Sequence, residues 1–262
     1  MARLPSHAGV STERLRLTIA YDGRDFRGWQ SQATGDSVQD HLERVLAALC
    51  DERVIVHGSG RTDAGVHALG QIAHVDVPTN RLPLQRWAPA LNAGLPPQIR
   101  VTRLVRAKPT FHARFDAIGK TYVYRIWNAP VLHPLEIGRA WFVPGQLDWT
   151  LLRETAPVLE GTHDFASFAA HRAPPRHRPV ESDTVRTLHF IRMTRRGPLI
   201  TLRFQGGGFL YRMVRLLTGS LVRVAQGRAP AAWLTDLLES KGAAKTSFAA
   251  PAEGLYLARV LY

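Results

Sequence analysis

The chain has 262 residues, with 34 Lys and Arg against 21 Asp and Glu, for a formal net charge of +13. That length forms one large domain or two ordinary ones, either with a sizeable core. The charge, carried far more by arginine than by lysine, points to a polyanionic partner, because the planar guanidinium matches phosphate. Cys50 is the only cysteine, which excludes an internal disulfide and a cysteine metal cluster. No apolar run reaches the length of a membrane-spanning helix, and residues 1–13 hold no apolar core for a signal peptide. The expectation is a soluble cytoplasmic protein with a disordered tail over 1–13.

Leu15, Leu17, Ile19 and Tyr21 alternate with Arg14, Arg16 and Thr18, which predicts a half-buried strand over 14–21. Phe26 and Trp29 follow in a short connector and read as core plugs. Ser37 with Asp40 three residues on predicts a helix start, and Val38, Leu42, Val45, Leu46 and Leu49 then share one face. A short strand is expected over Arg53–His57 and another over Ile72–Val77. Leu84, Trp87, Ala88 and Leu91 recur at helical spacing, with Pro89 expected to bend or interrupt that helix. Ile99–Val105 reads as a strand. The order strand, helix, strand, strand, helix, strand is the ferredoxin-like pattern.

The second half repeats it: a strand over Thr121–Trp127, with Tyr122, Tyr124 and Ile126 on one face, then a helix capped by Asp148 that carries Leu151, Leu152 and Leu159. An irregular basic stretch is expected from Thr162 to Asp183. A hairpin turns at Arg196-Gly197-Pro198. A helix striped by Leu210, Met213, Val214, Leu217 and Leu221 follows, then a helix over Ala231–Leu238 and a closing strand over Leu255–Tyr262. Within the irregular stretch, Arg172, Arg176 and Arg178 are candidate phosphate contacts. The halves divide as 14–108 and 109–262, with no low-complexity linker between them.

Between the two middle strands of the first half lies Gly58-Ser59-Gly60-Arg61-Thr62-Asp63-Ala64-Gly65-Val66-His67-Ala68-Leu69-Gly70-Gln71. Four glycines in fourteen residues suit a shaped loop that lets backbone approach a ligand. It is not a phosphate loop, since Gly60 and Gly65 are not followed by Lys and Ser or Thr, and it lacks the third glycine of a dinucleotide fingerprint. Its one carboxylate, Asp63, stands two residues after the guanidinium of Arg61, a pairing that keeps a nucleophilic carboxylate ionised at neutral pH. His57, His67 and His74 cluster nearby in sequence, but their spacing fits no metal-ligand pattern, so no metal is expected.

Residues 60–68 with Gly70-Gln71 resemble the catalytic loop of the tRNA pseudouridine synthase A (TruA) family. Tyr21-Asp22-Gly23, Phe111–Phe115, Tyr122 with Tyr124, Phe209-Leu210 with Met213-Val214-Arg215, and Glu253–Tyr256 extend the resemblance over nearly the whole chain. It departs at Gly207, where Asn is commoner in the family, and at Arg212 and Leu216. The resemblance implies an α+β pseudouridine synthase fold, two ferredoxin-like α/β halves with joined antiparallel sheets and a central catalytic cleft. It implies Asp63 as nucleophile, Tyr122 as the ring that stacks on the target base with Tyr124 as local competitor, and Arg215 as the charge partner of Asp63. Arg61 is the alternative partner or a holder of the flipped nucleotide. It further implies a homodimer without a cofactor, acting on tRNA at anticodon-arm positions 38, 39 and 40. Two other classes stay open: a non-catalytic RNA-binding protein, and an N-glycoside hydrolase releasing free base.

Overall fold

The computed structural model describes residues 11–170 and 183–262, which form two compact units. The first comprises residues 11–64 and 68–117, the second 65–67, 118–170 and 183–262. Residues 109–117 therefore pack with the first unit, held by Arg14 Nη1 donating to the Phe111 carbonyl at 2.7 Å and by Ala113 N donating to His74 Nδ1 at 3.1 Å. Arg172, Arg176 and Arg178 lie outside the described residues.

In the first unit, β1 (Thr12–Tyr21) is the central strand, antiparallel to both β3 (His67–Pro78) and β4 (Ile99–Arg106). The two-residue β2 (His57–Gly58) pairs with β3. The resulting order, β4-β1-β3-β2, is that of a ferredoxin-like unit. Leu15, Leu17 and Ile19 are fully buried on one face of β1, as the alternation predicts, and β1 begins two residues before Arg14.

The helix α1 (Val38–Cys50) starts in a full capping box, with Ser37 and Asp40 bonded reciprocally, and α2 spans Leu84–Gly94. Helix α2 continues through Pro89 rather than stopping there. The two helices approach closely, since a Cβ on Gly94 would lie 2.9 Å from Val45 Cγ1. Cys50 is buried, and burial pushes its thiol pKa up, consistent with a packing role.

Two further boundaries move around the glycine loop. The strand expected over Arg53–His57 is reduced to His57–Gly58, because side chains of α1 take the bonds a ladder would make. Val56 N donates to Glu43 Oε1 at 2.9 Å, and the Val56 carbonyl accepts from Gln39 Nε2 at 3.1 Å. In the other direction, β3 starts at His67, five residues before the predicted Ile72, so the last part of the glycine stretch is strand.

In the second unit, β5 (Gly119–Trp127) pairs antiparallel with β10 (Leu255–Leu261) and with β9 (Leu199–Gly206), which pairs with β8 (Val185–Arg196). The strand β7 (Gly161–Asp164) pairs with the far side of β8, and β6 (Trp141–Phe142) runs parallel to the end of β5. Residues 162–164 were expected to be irregular; Thr162 instead bonds across to Thr187 at 2.8 Å in the β7–β8 ladder. The helix α3 (Trp149–Thr155) is capped by Asp148. The helix α4 (Met213–Ala225) is buried nearly all round, and Gly219 gives close passage to the Phe248 carbonyl. Leu210 precedes α4 rather than lying on it. The short α5 (Trp233–Glu239) completes the unit, whose β10-β5-β9-β8 order repeats that of the first.

Candidate active site

The residues before Asp63 are tied down one by one. Ser59 N donates to the Ile72 carbonyl at 2.7 Å and Ser59 Oγ to Gln71 Oε1 at 2.6 Å, while Gln71 Nε2 donates to the Gly60 carbonyl at 2.9 Å. The buried Thr62 shares a 2.8 Å hydrogen bond with the Tyr21 hydroxyl, and its carbonyl accepts from Trp29 N at 3.1 Å. Both Gln71 and Ser59 are fully buried. Satisfied buried polar groups of this kind fix one backbone path, because breaking any bond strands its partner without water.

Two glycines make room for that path. Gly28 has φ +83°, and a Cβ there would lie 2.5 Å from the Thr62 carbonyl oxygen and 3.0 Å from the Asp63 carbonyl carbon. Gly58 lies directly against the Trp29 indole, which leaves no space for a side chain. Trp29 and Phe26 are buried, as expected of core plugs, and Trp29 thereby sets the floor beneath the loop. Asp63 is half-buried, between buried Thr62 and exposed Ala64.

Arg61 is exposed, and its Nε donates to Gln30 Oε1 at 3.0 Å. Gln30 in turn donates to Gln39 on α1 at 2.8 Å, and Gln39 donates to Glu43 at 2.7 Å. The orientation of this guanidinium is thus coupled to the start of α1. In the sequence Gln30 is legible only as part of the connector after β1, and Gln39 carries no periodic or motif signal.

Gly65–His67 belong to the second unit, where two carbonyl acceptors, Gly138 at 3.0 Å and Glu253 at 3.1 Å, fix the proton of His67 on Nε2. The His67 ring stacks on Tyr256 with centroids 4.5 Å apart. The histidines therefore group differently from their sequence order. His57 stacks on His74 at 4.8 Å, and the third ring beside them is His112, 4.7 Å from His74. His74 Nδ1 accepts from Ala113 N, and His112 Nδ1 accepts from Arg114 N and Phe115 N. Among the described residues no group of three or more His, Cys, Asp or Glu is arranged to hold a metal ion.

Tyr122 and Tyr124 lie on β5 in different surroundings. Tyr124 is completely buried, its hydroxyl donates to the Pro251 carbonyl at 2.7 Å, and Gly254 packs against its ring. Burial holds its phenol well above the usual tyrosine range, with the Arg215 charge acting in the opposite direction. That enclosed ring has no free face for a base. Tyr122 keeps 9% of its surface exposed and meets Phe209 edge-on at 5.1 Å. Arg215, in the first turn of α4, is half-buried; its Nε donates to the Ala250 carbonyl at 2.7 Å, and its own carbonyl accepts from Ala250 N at 3.0 Å. Asp63 and Arg61 thus stand in the first unit, and Tyr122 and Arg215 in the second.

A family model described as tRNA pseudouridine synthase matches residues 17–116 and 156–262. The chain belongs to that family. Among curated relatives, the tRNA pseudouridine synthase A of Akkermansia muciniphila is 46% identical over 252 residues, covering 95% of each chain. The protein of the same name from Solidesulfovibrio magneticus is 45% identical, over 95% of this chain and 91% of the other. That from Methylacidiphilum infernorum is 41% identical, over 94% of both. The glycine loop and Arg215 lie within the segments matched by this pseudouridine synthase family model, and Tyr122 lies between them.

Proposed function

We propose that this chain isomerises uridine to pseudouridine in the anticodon arm of tRNA, at positions 38, 39 and 40, with Asp63 as the nucleophile. The anchoring of residues 59–62 carries this reading. A carboxylate held on a fixed backbone in a half-buried position loses less freedom on reaching a transition state than one on a mobile turn. The reaction breaks the bond from uracil N1 to the sugar, turns the base and rejoins it through C5; C5 gives up its proton to a general base or solvent and N1 takes one up, so no atom or electron is gained or lost overall. Asp63 attacks the sugar or the base, or takes up a proton on a route through a sugar alkene.

In this reading the target nucleotide leaves its stack, Tyr122 holds the base by its ring, Arg215 balances the charge of Asp63, and Arg61 holds the displaced nucleotide's backbone. The tRNA is modified by a homodimer in the cytoplasm. Incubating the chain with transcribed tRNA and analysing the digested nucleosides tests the proposal. Pseudouridine at the anticodon-arm positions is the expected product. Free uracil would instead identify a glycoside hydrolase, and unchanged RNA with retained affinity a binding protein.

A further inference from the structure

On the first unit, residues 105–116 form a groove of about 270 Å³ floored by Val105, Ala107 and Phe111 and rimmed by Arg16, Arg106 and Lys108. The Arg16 guanidinium lies 5.6 Å from the centre of the Phe111 ring. Arg106 bonds Glu13 at 2.6 Å yet keeps 61% of its side chain exposed, and Lys108 is exposed. The one carboxylate in the lining, Asp116, is engaged by His112 N at 2.9 Å. Just beyond it the Phe115 ring is 76% exposed, with the Arg114 guanidinium 5.9 Å from its centre and the His112 ring at 4.2 Å. An aromatic ring so exposed forgoes burial energy, and the Arg114 cation beside it does not shield it from water in the way an apolar neighbour would.

We propose that this groove binds the phosphodiester backbone of the RNA substrate, with one unpaired base stacked on Phe115. The proposal rests on the reading of RNA as substrate and names a surface for it that contains none of Asp63, Arg61, Tyr122 or Arg215. Cations tracking a backbone beside a ring on which a base stacks are the two parts of single-strand recognition, and the surplus of +13 supplies the long-range attraction. Phe111 contributes to the floor, while Phe115 is the ring open to a base.

The experiment measures tRNA affinity across a salt series for the whole chain and for Lys108→Gln, Phe115→Ala and Phe115→Trp, together with the single-turnover rate at saturating RNA. Lys108→Gln is expected to lower the slope of log affinity against log salt by about 0.7–0.9. Phe115→Ala weakens binding about tenfold at unchanged slope, and Phe115→Trp restores it. The saturated rate stays at the wild-type value in all three. Wild-type affinity and slope in both Lys108→Gln and Phe115→Ala would overturn the proposal, as would a loss confined to the saturated rate. Should the wild-type chain bind RNA without forming pseudouridine, the reading of function falls, and the groove is still judged on affinity and slope alone.

Discussion

At the scale of the residue, the proposed function assigns the chemistry to Asp63. Thr62 and Gln71 anchor the backbone on either side of its place in the loop. Asp63→Asn, which keeps the shape and removes the proposed nucleophile, is expected to retain the fold and tRNA affinity while abolishing pseudouridine formation. Residual single-turnover activity within about tenfold of wild type, under 1.4 kcal/mol of barrier, would remove it from the chemistry. Gly28 is the converse case. Gly28→Ala places a methyl group against the Thr62 carbonyl at a φ of +83°, so it should destabilise the chain by about 1–3 kcal/mol and slow turnover by moving the loop. A melting temperature unchanged from wild type would show that the close approach is relieved at no cost. Gly28 read in the sequence only as part of a connector, because its partner lies more than thirty positions away.

At the scale of the element, the two-residue ladder between β2 and β3 closes the base of the glycine loop, and His57 faces His74 across it. His74 is 2% exposed, and burial, together with the Arg14, His57 and His112 charges, lowers its pKa from 6.5 to about 4, with Asp76 opposing. Its Nδ1 lone pair also accepts the Ala113 amide, which requires the deprotonated nitrogen. Between pH 6.5 and about 4 the unfolded chain then binds a proton that the folded chain does not. Stability is present in full above 6.5 and falls as pH is lowered through that window. Urea midpoints measured from pH 7 to 4 should decline, and His74→Gln, whose amide oxygen still accepts from Ala113, should flatten the decline; equal pH profiles for the two proteins would assign the acid loss to other groups. At the start of α1, Ser37→Ala removes one arm of the capping box and is expected to cost about 1 kcal/mol in chemical denaturation. The cap was legible in the sequence as Ser37 and Asp40, since both bonds are local. The shortening of β2 was not, since it depends on Gln39 and Glu43 of α1 bonding to Val56.

At the scale of the whole molecule, the proposed homodimer predicts a mass in light scattering of twice the 29.2 kDa chain at working concentration. A monomer with full activity would contradict it. Sequence alone determined the βαββαβ order of the first half and the main strands and helices of the second, the buried faces of the strands and helices, the glycine loop and its single carboxylate. Each of these is written in periodicities and caps that span a few residues, and the physics that reads them is local. The likeness of the loop to a known family determined the expected chemistry. Tertiary structure alone decided which of two tyrosines two positions apart has an enclosed ring, because Gly254 and Pro251, over a hundred residues on, close around Tyr124. It likewise decided that His112, and not His67, joins His57 and His74, and that Phe111–Ala113 dock on the first unit. Such choices rest on contacts between segments far apart in the chain, where side-chain volume and unsatisfied donors select the partner and no spacing in the sequence records the choice.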